Sequence, residues 1–207
     1  MPEIKNSLLD ALAINQLSLS EKALSQIEHY LMLLLRWNRV FNLTTIIKPR
    51  EMVFLHIIDS LMVQPFLQGT HLLDIGTGAG LPGIPLAIAN PQQQWVLLDK
   101  NSKKTRFLTQ VSAELGLTNI NIVHGHSKDF HPSSCFDSIL SRALGSLDLF
   151  AKTATPFLCA NGLLIAMKGK CPQTEIACIA DKFTVSAIRL NIKGMNAERH
   201  VLCLRTK

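Results

Sequence analysis

The segment 72–85 constrains this chain more than any other. An apolar run, Leu72-Leu73-Asp74-Ile75, passes directly into Gly76-Thr77-Gly78-Ala79-Gly80-Leu81-Pro82-Gly83, and Pro82 stands where a helix can begin. Four glycines in eight residues permit positive φ and close approach of a ligand to the backbone. A strand, loop and helix of this composition form a ligand cradle at the carboxyl end of a parallel strand. A second apolar run, 95–98, ends in Asp99, 25 residues after Asp74. An acid there is placed to accept hydrogen bonds from the two hydroxyls of a ribose. Loop and acid together point to an adenosine-containing cofactor. Because residues 78–83 also satisfy G-x-G-x-x-G, NAD competes for this site on the residues alone.

The rest of the chain repeats the same alternation. Runs 72–75, 95–98, 120–123, 138–140 and 163–167 read as strands. Between them, 82–89, 102–115 (stopped by Gly116) and 146–158 are long enough for crossover helices. Runs 184–190 and 200–204, joined by a segment containing Gly194, read as a closing antiparallel pair. The expected fold is α/β: a Rossmann-like, seven-stranded sheet with helices on both faces. Upstream of residue 70 the texture is helical. Ser18 and Glu21 are spaced as a capping box, and Leu19, Ala23, Ile27, Tyr30, Leu31, Leu34 and Leu35 recur at helical intervals up to Trp37. A second helix is expected from Pro49 to a point before Pro65. The organisation is thus a helical N-terminal cap over 1–67 and a cofactor-binding domain over 68–207, forming one compact unit.

Composition narrows the setting. With 47% hydrophobic and 17% charged residues the 207-residue chain can bury a core, and no apolar stretch approaches the roughly 18–20 residues of a membrane span. The first ten residues carry no export signal, so cytoplasmic residence is expected. Cys135, Cys159, Cys171, Cys178 and Cys203 are odd in number and contain no C-x-x-C pair, which predicts reduced, mostly buried thiols and no zinc site. His124, His126 and His131 match no common metal spacing, so no metal is expected. Lys plus Arg exceed Asp plus Glu by 21 to 15, which favours a polyanionic partner without requiring one.

After the fourth strand the chain reads Ser141-Arg142-Ala143. This is neither the Asn/Asp-Pro-Pro-aromatic motif of amine-methylating enzymes nor a cysteine nucleophile. Glycines 76, 78 and 80 behind Asp74 resemble motif I of class I S-adenosylmethionine-dependent methyltransferases. Seven separated motifs then occur in order: Trp37-Asn38, Asn42-Leu43-Thr44, His56 with Asp59-Ser60, the segment 74–85, Ser141-Arg142-Ala143, Lys168-Gly169 and Glu198-Arg199-His200. Together they resemble the ribosomal RNA small subunit methyltransferase G family, also called glucose-inhibited division protein B, over nearly the whole chain.

The resemblance implies transfer of a methyl group from S-adenosyl-L-methionine to N7 of a guanine in the 530 loop of bacterial 16S rRNA (position 527 in rRNA numbering). A ring nitrogen with a free lone pair needs no proton removed, so positioning can supply most of the catalysis and no acid or base residue is expected. Carried over by position, Asp74, Gly76, Thr77, Gly78 and Leu81 serve the cofactor, Asp99 meets the ribose, and Arg142 approaches the cofactor or the target base. Where the family commonly shows an Arg followed by acidic residues, this chain has His126-Ser127-Lys128, and the backbone of Ser127 and Lys128 can still read the adenine. Arg36, Lys103, Arg106, Lys168 and Arg199 are the RNA-side residues. His56, Asp59 and Ser60, on one face of a helix, and Trp37, Asn38 and Asn42, where the first long helix breaks, are structural or substrate-side. The partner is 16S rRNA or the small ribosomal subunit, with no membrane, and a monomer is expected. The alternatives are an NAD-dependent oxidoreductase and a non-catalytic RNA-binding ribosome-assembly factor.

Overall fold

A computed structural model describes residues 2–207; Met1, the first residue of the expected cap, lies outside the described residues. The expected seven-stranded sheet is present, in the order β3-β2-β1-β4-β5-β7-β6. Its strands are β1 (His71–Ile75), β2 (Gln94–Asp99), β3 (Ile120–His124), β4 (Phe136–Arg142), β5 (Leu158–Lys168), β6 (Phe183–Arg189) and β7 (His200–Thr206). The first five are parallel, and β7 runs antiparallel between β5 and β6. From β1 the chain steps outward through β2 and β3, then returns to the other side of β1 as β4. The carboxyl ends of β1 and β4 therefore flank the switch point where open parallel sheets hold ligands.

Side-chain alternation sorts the two faces. Leu72, Trp95, Leu97, Leu140 and Ile165 join one core with α1 (Pro2–Ile14), α2 (Glu21–Phe41), α5 (Gly83–Ala89) and α6 (Ser102–Leu115). Leu73, Ile75, Val96, Leu98, Ile139 and Leu164 join the other with α7 (Leu147–Ala154) and α8 (Gln173–Ile179). The N-terminal helices thus share a face with the helices that follow β1 and β2. Ile27, Tyr30, Leu31 and Leu34 are fully buried along α2, each contributing roughly 1.5–3 kcal/mol.

Several local expectations change. The N-cap of α2 is Ser20, not Ser18: Ser20 has extended backbone (φ −65°, ψ 157°), and its hydroxyl accepts the Ala23 N–H at 3.2 Å. The helix continues past Trp37 to Phe41, where Asn42 adopts φ 50° and donates its N–H to the Asn38 carbonyl. The helix starting at Pro49 is α3 (Pro49–Met52), a π-helical segment (Val53–Ile58) and α4 (Asp59–Leu61), followed by a 3-10 turn (Gln64–Phe66). Helices α1 and α8 are additions to the expected set.

The β3–β4 crossover contains only a 3-10 turn (Ser127–Asp129), and Phe130 covers the sheet there against Phe136 and Phe157. Cys135 and Cys159 are joined in a disulfide, so the expectation of five reduced, mostly buried thiols is corrected. Parallel pairing of Phe136 with Leu158 places the flanking cysteines side by side, which their spacing of 24 residues does not reveal. Of the free cysteines, Cys171 and Cys203 are half-buried and Cys178 is exposed. No helix among the described residues is long and apolar enough to cross a membrane.

Candidate active site

The glycine loop folds over the end of β2 as it leaves β1. Gly76 N–H and Thr77 N–H both donate to the Leu98 carbonyl, at 2.8 and 3.1 Å, and the Thr77 carbonyl accepts from Gly80 and Leu81. Beneath the loop, the Asp74 carboxylate accepts the Thr77 hydroxyl at 2.7 Å and the Gly83 N–H at 2.9 Å through one oxygen. The other oxygen is buried without a partner, and burial pushes the Asp74 pKa up to about 6. Gly80 has φ +93°, and a Cβ there would fall 2.4 Å from Ile84 and 2.7 Å from Leu108, so only glycine lets the loop lie this close to α5 and α6. From the helical side, Tyr30 donates its hydroxyl to the Ala79 carbonyl at 2.9 Å.

The outer edge of the loop meets the second strand's acid. Gly78, at φ +64°, donates its N–H to Asp99 Oδ2 at 2.8 Å, while Asp99 Oδ1 accepts the Asn101 N–H at 2.8 Å and Lys104 Nζ stands 4.0 Å from Oδ2. Asp99 borders a cavity of about 420 Å³ whose walls include Gly76, Leu98, Lys104, His126, Ser127 and Leu144. Its size, an apolar slot between Leu98, Leu144 and Leu149, and a clamped carboxylate at one edge fit an adenosine-bearing cofactor. His126 Nδ1 accepts the Lys128 N–H at 3.2 Å and so shapes the turn where His126 and Ser127 border this cavity. Asp74, Thr77 and Leu81 lie beneath this cavity rather than in its wall. All three are buried: Asp74 and Thr77 tie the loop down, and Leu81 packs into the core.

A second cavity, of about 680 Å³, shares the Ala143 wall with the first. At that boundary Ser141 donates its hydroxyl to the Ile75 carbonyl at 2.9 Å, joining β4 to β1, and Ala143 takes φ +68°. The structure brings Thr44, Leu55, His56 and Asp59 together with the distant Arg142 and Arg199 around this cavity. Arg199 Nε donates to Asp59 Oδ1 at 3.0 Å, and Arg142 Nη1 lies 3.4 Å from Asp59 Oδ2 and 2.9 Å from the Leu55 carbonyl. His56 Nε2 and Thr44 Oγ1 are 3.1 Å apart, and Thr44 N–H donates to Asn38 Oδ1 at 2.8 Å. Burial, then the charge of Arg142, lowers the His56 pKa to about 4, so its ring is neutral at pH 7. Burial raises the Asp59 pKa against the opposing pull of Arg199 and Arg142.

Other expected residues are placed differently. Ser60 is fully buried and bonds back to the His56 carbonyl. Trp37 is half-buried, with its ring 5.3 Å from Phe41 and 5.7 Å from Phe107, and Asn42 is the left-handed end of α2. Arg36 pairs with Glu114 at 2.9 Å across the α2–α6 seam, and Lys103 and Arg106 are exposed on α6. Lys168 is not a free cation: its Nζ donates to the Gly145 carbonyl at 2.6 Å and to Glu175 at 3.0 Å. Glu175 also accepts the Leu147 N–H at 2.6 Å, so it links Lys168, and through it the Gly145 carbonyl, to the start of α7.

Comparison with known proteins decides what this pair of cavities belongs to. Residues 23–202 match the family model described as rRNA small subunit methyltransferase G, GidB. The chain belongs to that family. Over 204 residues it is 43% identical to the ribosomal RNA small subunit methyltransferase G of Nitrosococcus oceani, covering 98% of this chain and 95% of that one. Over 190 residues it is 43% identical to the protein of that name from Pseudomonas syringae pv. tomato, covering 91% and 90%. Among solved structures, a SAM-dependent methyltransferase from Aquifex aeolicus superposes with TM-score 0.59 at 16% identity, over 76% of this chain and 93% of that one, a likeness of fold.

Within this methyltransferase G family member, three site features escaped the sequence reading. Tyr30, the single tyrosine, was legible as a polar-tipped residue on an apolar helix face, but not its bond to Ala79. Neither Glu175 nor the Leu55 carbonyl carries any local sequence signal.

Proposed function

We propose that this protein transfers a methyl group from S-adenosyl-L-methionine to N7 of a guanine in the 530 loop of 16S rRNA, acting in the cytoplasm as a monomer. In this reading 1–67 is the cap and 68–207 the methyltransferase domain. The observation that carries it is the pair of adjoining cavities: one is edged by the clamped Asp99, the other by Arg142 and Arg199, and Ala143 divides them.

When bound, the cofactor supplies an electrophilic methyl carbon on a cationic sulfur. Asp99, held by Gly78 N–H and Asn101 N–H, keeps lone pairs for the ribose hydroxyls. The loop backbone at Gly76 and Gly78 leaves room for the amino-acid end, and the turn at His126, Ser127 and Lys128 faces the adenine. On the other side of Ala143, Arg142 and Arg199 orient the target guanine. Held there, the N7 lone pair of the base would accept the methyl carbon as the C–S bond broke towards sulfur, with the positive charge left on the base. No proton leaves, which matches a pocket whose histidine is held neutral and whose carboxylate is committed to two arginines. Arg36, Lys103 and Arg106 supply the outer RNA rim.

The test is incubation with S-adenosylmethionine and 16S rRNA, free and in small subunits, followed by nucleoside mass spectrometry. 7-Methylguanosine at the 530 loop is the expected product; another methylated nucleoside overturns the base assignment. Stabilisation by NADH alone, and not by S-adenosylhomocysteine, overturns the cofactor.

A further inference from the structure

Asp59 is a carboxylate with 2% exposure that nonetheless borders the second cavity, and both of its oxygens are committed to arginines. Those arginines come from the end of β4 and from the residue before β7, 83 and 140 positions away. Their side chains are only about a quarter exposed, 26% and 24%. Two guanidinium groups repel in so poorly solvated a wall, and a carboxylate between them makes the arrangement tenable.

The helix that carries Asp59 contributes a second anchor. In α-helical register the Asp59 N–H would bond the Leu55 carbonyl, four residues back. The π-helical segment sends it to the Phe54 carbonyl instead, and Leu55 accepts Arg142 Nη1. Arg142 is thus held at Nη1, and Arg199 at Nε by Asp59 and at Nη1 by the Glu198 carbonyl. Nε and Nη2 of Arg142 and Nη2 of Arg199 have no partner among the described residues. They are the spare planar donors of two side chains that border the cavity.

Guanine offers two adjacent acceptors on its major-groove edge, O6 and N7. A reaction at N7 must leave that lone pair free, so O6 is the atom available for an arginine. Adenine places an amino donor at the same position, which would face guanidinium N–H groups with no acceptor between them.

We propose that Asp59 is a positioning residue that presents Arg142 and Arg199 as a donor pair to O6 of the target base, so that the wall admits guanine and rejects bases lacking that oxygen. The inference deepens the N7-methyltransferase reading and rests on it.

The experiment compares small subunits carrying guanine or 2-aminopurine at the target position. 2-Aminopurine keeps N7 and the 2-amino group and lacks O6. The wild-type protein is expected to favour guanine by about a hundredfold in kcat/KM. In Asp59→Asn, kcat/KM for guanine is expected to fall at least thirtyfold and that for 2-aminopurine less than threefold, so the preference collapses. S-adenosylhomocysteine affinity by calorimetry should stay within threefold of wild type. Arg199→Lys keeps the charge and loses the planar fork; it should also collapse the preference, and it provides the readout if Asp59→Asn does not fold. An equal loss on both substrates, or a parallel loss of cofactor affinity, makes Asp59 a structural residue and overturns the proposal. Wild-type protein that binds cofactor but forms no 7-methylguanosine on guanine subunits fails the parent reading instead.

Discussion

Tyr30 reaches from the middle of α2 to the glycine loop and donates its phenolic hydrogen to the Ala79 carbonyl at 2.9 Å, with no exposure to solvent. The N-terminal helices therefore fasten the glycine loop directly, through a buried bond between segments 49 residues apart. Burial raises the phenol pKa further, ahead of a lowering by Arg142, so the hydroxyl remains a donor throughout the working pH range.

Tyr30→Phe keeps the ring packing beside Phe107 and leaves the Ala79 carbonyl unpaired. The expected cost is about 1–2 kcal/mol of stability by urea denaturation. S-adenosylhomocysteine affinity is expected to drop severalfold, since Ala79 adjoins Gly78; unchanged affinity would confine the bond to fold stability.

Asp74 sets a pH dependence of opposite sign to the usual carboxylate. Its folded pKa is raised to about 6 from 3.8, so the folded state binds the extra proton and stability falls as pH rises from about 4 through 6. Asp74→Asn removes that titration while keeping an acceptor for Thr77 and Gly83. The variant should gain on wild type by roughly 2–3 kcal/mol between pH 4 and 7.5. Parallel stability curves for the two proteins across that range would contradict this.

The disulfide closes a loop of 24 residues that spans β4, α7 and the turn into β5. In the chain-entropy account it contributes about 3.5 kcal/mol, which Cys135→Ser or a strong reductant should remove equally. Melting curves with and without dithiothreitol test this: a reductant effect that persists in the Cys135→Ser protein would point to a different cause.

Lys168 and the α6 cations should separate in their response to salt. Lys103→Ala and Arg106→Ala are each expected to lower the slope of log RNA affinity against log salt by about 1. Lys168→Ala and Glu175→Ala should leave the slope unchanged and weaken cofactor binding, because they release the Gly145 and Leu147 ties beside the Ala143–Leu144 wall. A reduced slope for Lys168→Ala would restore that residue to the RNA surface.

Much of this site could be read locally. The glycines, Asp99 and the strands they join showed in spacing alone, because a strand's period of two and a loop's need for positive φ act over a few residues. Helix α1 has no bounds of its own within the expected helical cap, although Ile4, Leu8, Ala11 and Leu12 are buried at helical spacing, since its 13 residues give that period little room to repeat. The π-helical segment escaped for a different reason: Val53-Phe54-Leu55-His56-Ile57-Ile58 contains no Pro or Gly to mark a change of register.

By itself the sequence determined which segments are strands, which glycine loop follows β1 and which acid ends β2, since these depend on neighbours along the chain. Only the tertiary structure decided which charges meet. Sheet order carries Arg142 and Arg199 to Asp59 and Cys135 to Cys159. An ion pair or a disulfide depends on distance in space, and residues 24 to 140 positions apart have none until the strands are laid side by side.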